Sequence, residues 1–568
     1  MTTRTINAAC ALTLGMVLAA VTAASIATVG FREMSTFSNP DNRHLLLAAI
    51  SIVILAVTGT FTFFLLQKFG ELYSWAENHS CCKRIRLSFN ARSIAVASVI
   101  IFVCWIPWIL LQFPCSMNGD TYNQLYQFQT SFPTLYSTIN TTVNESFVDH
   151  HPVFDTLIFG AFLTVGDALG SQNLGLFAYS LFQCALTAIG LGITSCYLET
   201  LEVPKLFRIV SLLFCALFPP IPLWATCMLK DSLFSAIYIY YCLLVVEAVR
   251  TKGRLFSSAQ KVVLYIGVAS LCILTKKSGV LVVSISTLAL LLYARSYWKS
   301  IALNFAIPLV FCLILVPMAL YPAIGGVAAG GKQEMFGFAF QQVITAINDN
   351  DDLTDQERES VSKVLNIERA RDRYKPNIVD PVKNSAVNSA DTADYLDFLP
   401  AYFSIGTRHI SSYTSSIFNV VGTLVAPGRT FTYFSTPEQT DDWKATFEKA
   451  DSKHELHLNF NKPEPIASAA ATVEKAWRVS IPKLGPFQVF FNVGFYGGWI
   501  PIICLIICLF KNKRWAIALI PAAVSLAIIV IGPASSVRYA LPMLYTTPLM
   551  LGVLCTALQH SENQRRAS

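Results

Sequence analysis

The sequence predicts an all-α polytopic membrane protein of about 12 transmembrane helices, with an outer helical or mixed domain between helices 9 and 10. Three observations predict it. Of 568 residues, 54% are hydrophobic and 14% charged, whereas soluble domains carry roughly 25% charged residues. Apolar runs of about 20 residues, enough to cross a hydrocarbon core of roughly 30 Å, recur along the chain. Between two groups of these runs the composition turns polar, in "NDNDDLTDQERES" and "EQTDDWKATFEKADSKHE".

Hydropathy places the spans at 6–30, 44–66, 94–112, 173–198, 207–227, 232–249, 262–276, 279–294, 301–321, 487–510, 515–532 and 539–558. The first is too long, and its leading region too weakly charged, for a cleaved signal, so it reads as a retained helix. Residues 1–93 then form a two-helix hairpin and a basic loop, and 94–321 a transmembrane core with a first outer loop at 113–172. Within that loop, 153–166 is apolar but too short to span, which predicts a re-entrant or interfacial helix. "LTKKSG" between two short spans reads as a tight turn or a break. "GGVAAGGK" opens an extracytoplasmic domain at 322–486, and 487–568 returns to the membrane.

Loop charge sets the expected orientation. Lys68, Arg92, Lys205, Arg208, Arg250, Lys252, Arg254, Lys511, Lys513 and Arg514 fall in one set of loops, and the opposite short loops hold few cations. Positive loops mark the cytoplasm, so both termini are expected inside and 322–486 outside, in the plasma membrane. The net charge of +7 therefore reflects topology. A basic stripe with interleaved aromatics is absent, and no nucleic acid is expected as a partner.

Fifteen cysteines lie mostly inside the spans, where they serve as small apolar residues. The 322–486 segment holds none, so no disulfide framework is expected there. Cys81 and Cys82 are adjacent, a poor spacing for zinc. Asn140 and Asn144 match the glycosylation acceptor pattern.

Ionisable groups at membrane depth or at helix mouths are costly. Five clusters fall at the outer interface: Asp120; Asp149 with His150 and His151; Lys230 with Asp231; Lys276 with Lys277; and Arg538 with Tyr539. Each has an ordinary reading. Asp120, Asp149 and Asp231 are plausible helix caps, and Lys276, Lys277 and Arg538 plausible interfacial anchors. Their convergence on one side favours a site. A carboxylate at its rim can take a proton from a hydroxyl. Cations beside it can neutralise a phosphate leaving group. A phosphate donor at a membrane implies a lipid-linked substrate such as a sugar on a polyprenyl phosphate. Asp120, Asp149 and His151 are the set that could hold a divalent cation, Mn²⁺ or Mg²⁺, if one is used.

"NGDTYNQLYQF" followed by "DHHPVFDTLIFG", "MLKDSLFSAIYIY" and "SSVRYALPMLYTTPLML" resemble elements of the GT-C superfamily of membrane glycosyltransferases. The resemblance covers roughly 94–300 and 539–558. "EMFGFAFQQVITAI", "YKPNIVDPVKN" and "KDSLF" are similar to elements of an uncharacterised group of large bacterial membrane proteins placed near it. Two departures stand out: two helices precede the one that ends near 112, and the second motif is Asp-His-His without an acidic pair.

The resemblance implies transfer of a sugar from a polyprenyl-phosphate donor to a cell-envelope glycan, lipid or protein. Asp120 would act as general base or orienting group, and Asp149 would assist. His150 and His151 would bind acceptor or sugar. Lys230, Lys276, Lys277 and Arg538 would hold the donor phosphate, with Asp231 orienting Lys230 and Tyr539 beside them. Three rival functions stand against this one: a polysaccharide polymerase or ligase, a lipid-linked substrate transporter or flippase, and a non-catalytic envelope scaffold.

Overall fold

The computed structural model describes residues 3–30, 40–78, 87–131, 147–323, 327–328, 332–432, 434, 458 and 460–567. Cys81, Cys82, Asn140 and Asn144 lie outside them. The protein is all-α. Among the described residues the only strands are Phe147–Val148 and Val327–Ala328, one short parallel pair.

Among the described residues, seven helices are long and apolar enough to cross a membrane: Thr3–Thr28, Leu46–Asn78, Ala91–Leu111, Gln172–Tyr197, Lys230–Arg250, Arg295–Ala323 and Val537–Asn563. The other five expected spans are shorter or broken. Proline accounts for two of them. The 207–227 run divides into Lys205–Leu217 and Pro220–Ala225 at "FPPIP", because the residue before a proline avoids the helical region and proline itself opens the next turn. The 515–532 run divides into Lys513–Ala518 and Ile520–Val530, with Pro521 at the restart. The 487–510 run becomes an apolar helix only from Phe495. Before it lies a 3₁₀ stretch, Ile481–Phe491, interrupted at Gly485 (φ 56°) and Pro486.

Ala259–Thr275 and Gly279–Tyr293 are two short helices joined by a tight turn at "KKSG". The Gly279 amide donates to the Lys276 carbonyl at 2.8 Å. A Cβ on Gly279 would stand 2.0 Å from the Cys272 carbonyl oxygen, so only glycine lets the second helix start this close to the end of the first.

Burial sorts the long helices. Ile52, Val57 and Phe61 on one of them, and Leu303, Leu313 and Met318 on another, are exposed; in a bilayer such faces meet acyl chains. Lys230–Arg250 and Val537–Asn563 are instead enclosed over 89% and 94% of their apolar windows. These two central helices also begin with Lys230-Asp231 and with Arg538-Tyr539, so the charged side chains stand on the most rigidly held elements of the bundle.

Residues 333–413 build a second helical body around a core of Phe340, Ile344, Val361, Val364, Phe398 and Ile405, and Ile410–Val425 runs from it into the core of the bundle through Val420, Val421, Leu424 and Val425. Its polar helices are opened by reciprocal caps, Thr354 with Glu357 and Asp391 with Asp394, the pattern that satisfies free amides at a helix start. The body meets the bundle where the Val379 amide donates to the Pro533 carbonyl at 2.8 Å, four residues before Val537.

Candidate functional site

The Gly119–Ser131 helix is opened by Asn118, not by Asp120. Asn118 Oδ1 accepts from the Thr121 amide at 3.3 Å. Thr121 Oγ1 donates to the Met228 carbonyl, and the Met228 amide donates to the Ser116 carbonyl at 2.8 Å. The segment before the helix is thereby stitched to the segment before Lys230. Behind it, Gln183 Nε2 donates to the carbonyls of Ala225 and Cys227 at 2.7 and 2.8 Å, satisfying backbone that would otherwise be buried without partners. The Gly119–Ser131 helix lies on Val153–Ala168 by way of Gly160, where a Cβ would fall 2.1 Å from the Phe128 ring.

With its cap role filled, the Asp120 carboxylate is taken up by cations. Asp120 Oδ2 accepts from Arg538 Nη1 at 2.7 Å and pairs with Lys230 Nζ at 3.0 Å. Lys230 Nζ also lies 2.7 Å from His151 Nδ1. Asp231, 0% exposed, pairs with Lys276 Nζ at 2.6 Å and with Arg538 Nε at 3.4 Å. Arg538 and Lys276 both stand 5.4 Å from the Tyr539 ring centre, within reach of a cation–π attraction. Lys277 pairs with Asp149 Oδ1 at 3.3 Å and donates to the Asp149 carbonyl. His150 stands 3.8 Å from Glu334. Residues scattered over more than 400 positions of sequence thus share one network.

Three features of this geometry bear on the sequence reading. Asp120 is not a helix cap. Asp120 as found is also a poor proton acceptor: burial alone would raise its pKa, but Lys230 and Arg538 outweigh that and hold the carboxyl far below the usual range. Nor do Asp120, Asp149 and His151 form a ligand set, since Lys230 and Arg538 occupy Asp120 and Lys277 occupies Asp149. Among the described residues no group of three or more His, Cys, Asp or Glu is arranged to hold a metal.

Two cavities flank the network and share His150. The first, about 230 Å³, is lined by Lys230, Lys276, Lys277 and Tyr539 together with Val282, Ile528, Ile529 and Pro542. The second, about 540 Å³, lies between the Gly119–Ser131 helix and the Asp380–Lys383 helix.

Asp155 was missed from the sequence. It closes the motif "VDHHPVFD", yet an acid in a first helical turn reads as an ordinary complement to the helix dipole. Here it is 0% exposed, with neither carboxyl oxygen hydrogen-bonded among the described residues. Burial pushes its pKa well above the ordinary carboxylate value, against the opposing pull of Lys230. Glu334 and Lys383, paired at 2.9 Å, were missed because only the fold brings them near His150.

Burial, and then Lys230, depress the His151 pKa to about 3. Its unfolded value is about 6.5. The unfolded chain therefore takes up this proton as pH falls below 6.5 while the folded chain does not, and stability present above 6.5 is lost on the way to 3. We expect the parent protein to lose up to roughly 1.4 kcal/mol per pH unit from this group in that window. His151→Asn should flatten that part of a melting-temperature profile between pH 7 and 5. An unchanged slope would mean that His151 takes up its proton over the same pH range in the folded as in the unfolded chain.

The profile of a family described as "Family of unknown function (DUF6020)" matches residues 2–568, and the chain belongs to that family. No curated protein and no solved structure matches it.

Proposed function

We propose that this protein is a membrane glycosyltransferase that moves a sugar from a polyprenyl-phosphate donor to an extracytoplasmic acceptor. One observation carries the reading: the lining of the first cavity combines the ammonium groups of Lys230, Lys276 and Lys277 with the aliphatic side chains of Val282, Ile528 and Ile529. That pairing suits a ligand with an anionic head and a hydrocarbon tail. Lys230 and Lys276 keep 17% and 15% of their side chains exposed, and Arg538 16%, so their charges remain open to such a head group. Val282 and Ile528 belong to Gly279–Tyr293 and Ile520–Val530, between which an isoprenoid tail would leave for the lipid.

The chemistry follows from competition for the cations. A donor phosphate drawing Lys230 and Arg538 toward itself releases the Asp120 carboxylate, whose affinity for a proton then rises. Asp120 takes the proton of the acceptor hydroxyl as that oxygen bonds to the sugar's anomeric carbon. The bond from that carbon to the phosphate oxygen breaks, and its electron pair stays on the phosphate, neutralised by Lys276, Lys230 and Arg538. Donor binding must therefore precede proton transfer. The clamped resting state of Asp120 also favours a second reading, a polysaccharide polymerase or ligase that works with cations alone.

In this reading the site end of the bundle faces outward, both termini are cytoplasmic, and the five short or broken helices complete twelve passes. A cysteine introduced at exposed Ser362 should label with an impermeant thiol reagent in intact cells. Labelling only after lysis would reverse the orientation and remove the site from the outer face.

Donor binding is tested with polyprenyl monophosphate and the purified chain. Lys276→Ala should weaken binding by about tenfold or more, since a charge-assisted bond contributes roughly 1.5–3 kcal/mol. Parent and Lys276→Ala proteins that bind this lipid equally would sink the phosphate assignment.

A further inference from the structure

We infer that the second cavity binds the acceptor and that the acceptor is a carbohydrate chain end, an inference that rests on the glycosyltransferase reading for the word acceptor but not for the ligand class. Its volume, about 540 Å³, lies in the range of about 300–1,000 Å³ usual for ligand sites.

The walls select the chemistry. Asn123, Gln127, Thr130, Ser131 and Asn384 supply uncharged donors and acceptors. Val148 is the one aliphatic side chain among the described lining residues, so a lipid tail would gain little from them by entering. The charged residues are spent on each other: Lys383 Nζ lies 2.9 Å from both Glu334 and Asp380. That leaves no surplus cation for a phosphate. Neutral amides and hydroxyls around a cavity of this size are what a ring bearing several hydroxyl groups requires.

Two buried polar atoms lack partners among the described residues. His151 lines the cavity, is 1% exposed, and its Nε2 has no hydrogen-bond partner. Its Nδ1 faces the Lys230 ammonium, which can only donate. The neutral ring therefore carries its proton on Nε2, a donor suited to a ligand oxygen. Gln127 Nε2 donates to the Val148 carbonyl at 3.3 Å, while its Oε1 is buried with no partner. One donor and one acceptor thus remain for a hydroxyl group, and an unmet buried polar atom is costly enough to call for an occupant. Because His151 also touches Lys230, a sugar held there lies beside the Asp120 network.

The test probes a glycan microarray with the purified full-length chain in detergent, with polyprenyl monophosphate binding measured on the same preparations. The parent chain should capture a subset of glycans. Gln127→Ala combined with Asn384→Ala should lose about tenfold or more of that signal, from two hydrogen bonds of about 1 kcal/mol each. Its melting temperature and its lipid binding should match the parent's. Two results would overturn the inference: capture of no glycan, or equal capture by the double variant. Failure of the parent chain to bind polyprenyl monophosphate would instead remove the donor assignment, while glycan capture dependent on Gln127 and Asn384 would leave the cavity assigned.

Discussion

Asp120→Asn is expected to slow sugar transfer by about 10²–10⁴-fold, the usual cost of losing a general base, while polyprenyl-phosphate binding holds or tightens. The second half distinguishes this reading from simple damage. In the resting protein Asp120 neutralises Lys230 and Arg538, so a donor phosphate must compete with a carboxylate for the same cations. The amide keeps a hydrogen-bonding oxygen but surrenders the charge, and that competition ends. Slow transfer with undiminished lipid affinity therefore identifies Asp120 as the group released by the donor. Slow transfer with lost affinity would make it a residue that only positions Lys230 and Arg538. A well-folded Asp120→Asn protein with the parent's rate would leave the polymerase or ligase reading, in which cations act without a base.

What the sequence made legible was set by the range of the forces involved. Hydropathy is local, so long runs such as 3–28 and 172–197 could be read directly. Breaks that depend on backbone geometry could not, although "FPPIP" and "LGPF" contained their causes in proline and glycine. At the site, membrane burial makes a charge costly enough to be conspicuous in a row of letters, which is why Asp120, Lys230, Lys276 and Arg538 could be singled out. Their pairing was not legible. Whether Asp120 caps its own helix or binds Arg538, 418 positions away, depends on Asn118 having taken the cap, and both residues suit that position by propensity. Asp155 escaped notice because its significance lies in what does not touch it. The polar cavity escaped notice because Asn, Gln, Thr and Ser in a helix carry no signal until another element closes over them.

Asp231→Ala should be the most destabilising single change in the network, at about 3–5 kcal/mol, because it strands buried cations. Asp231 is fully enclosed and answers both Lys276 and Arg538, and only Asp120 among their charged partners would remain, on the Arg538 side. Lys276 would stand near Arg538 beside the Tyr539 ring with no carboxylate of its own. Asp120, by contrast, is 25% exposed, so water can replace part of what its removal takes away, and Asp120→Asn should cost much less. The paired change Asp231→Leu with Lys276→Met separates stability from function. It removes both buried charges together and fills their space with apolar atoms, a replacement that is often neutral or stabilising. We expect this double variant to recover most of the melting temperature lost in Asp231→Ala and yet bind polyprenyl monophosphate no better than Lys276→Ala does. Recovery of stability together with full lipid binding would show that the Lys276–Asp231 pair serves the fold alone, and the phosphate would then have to be held by Lys230, Lys277 and Arg538.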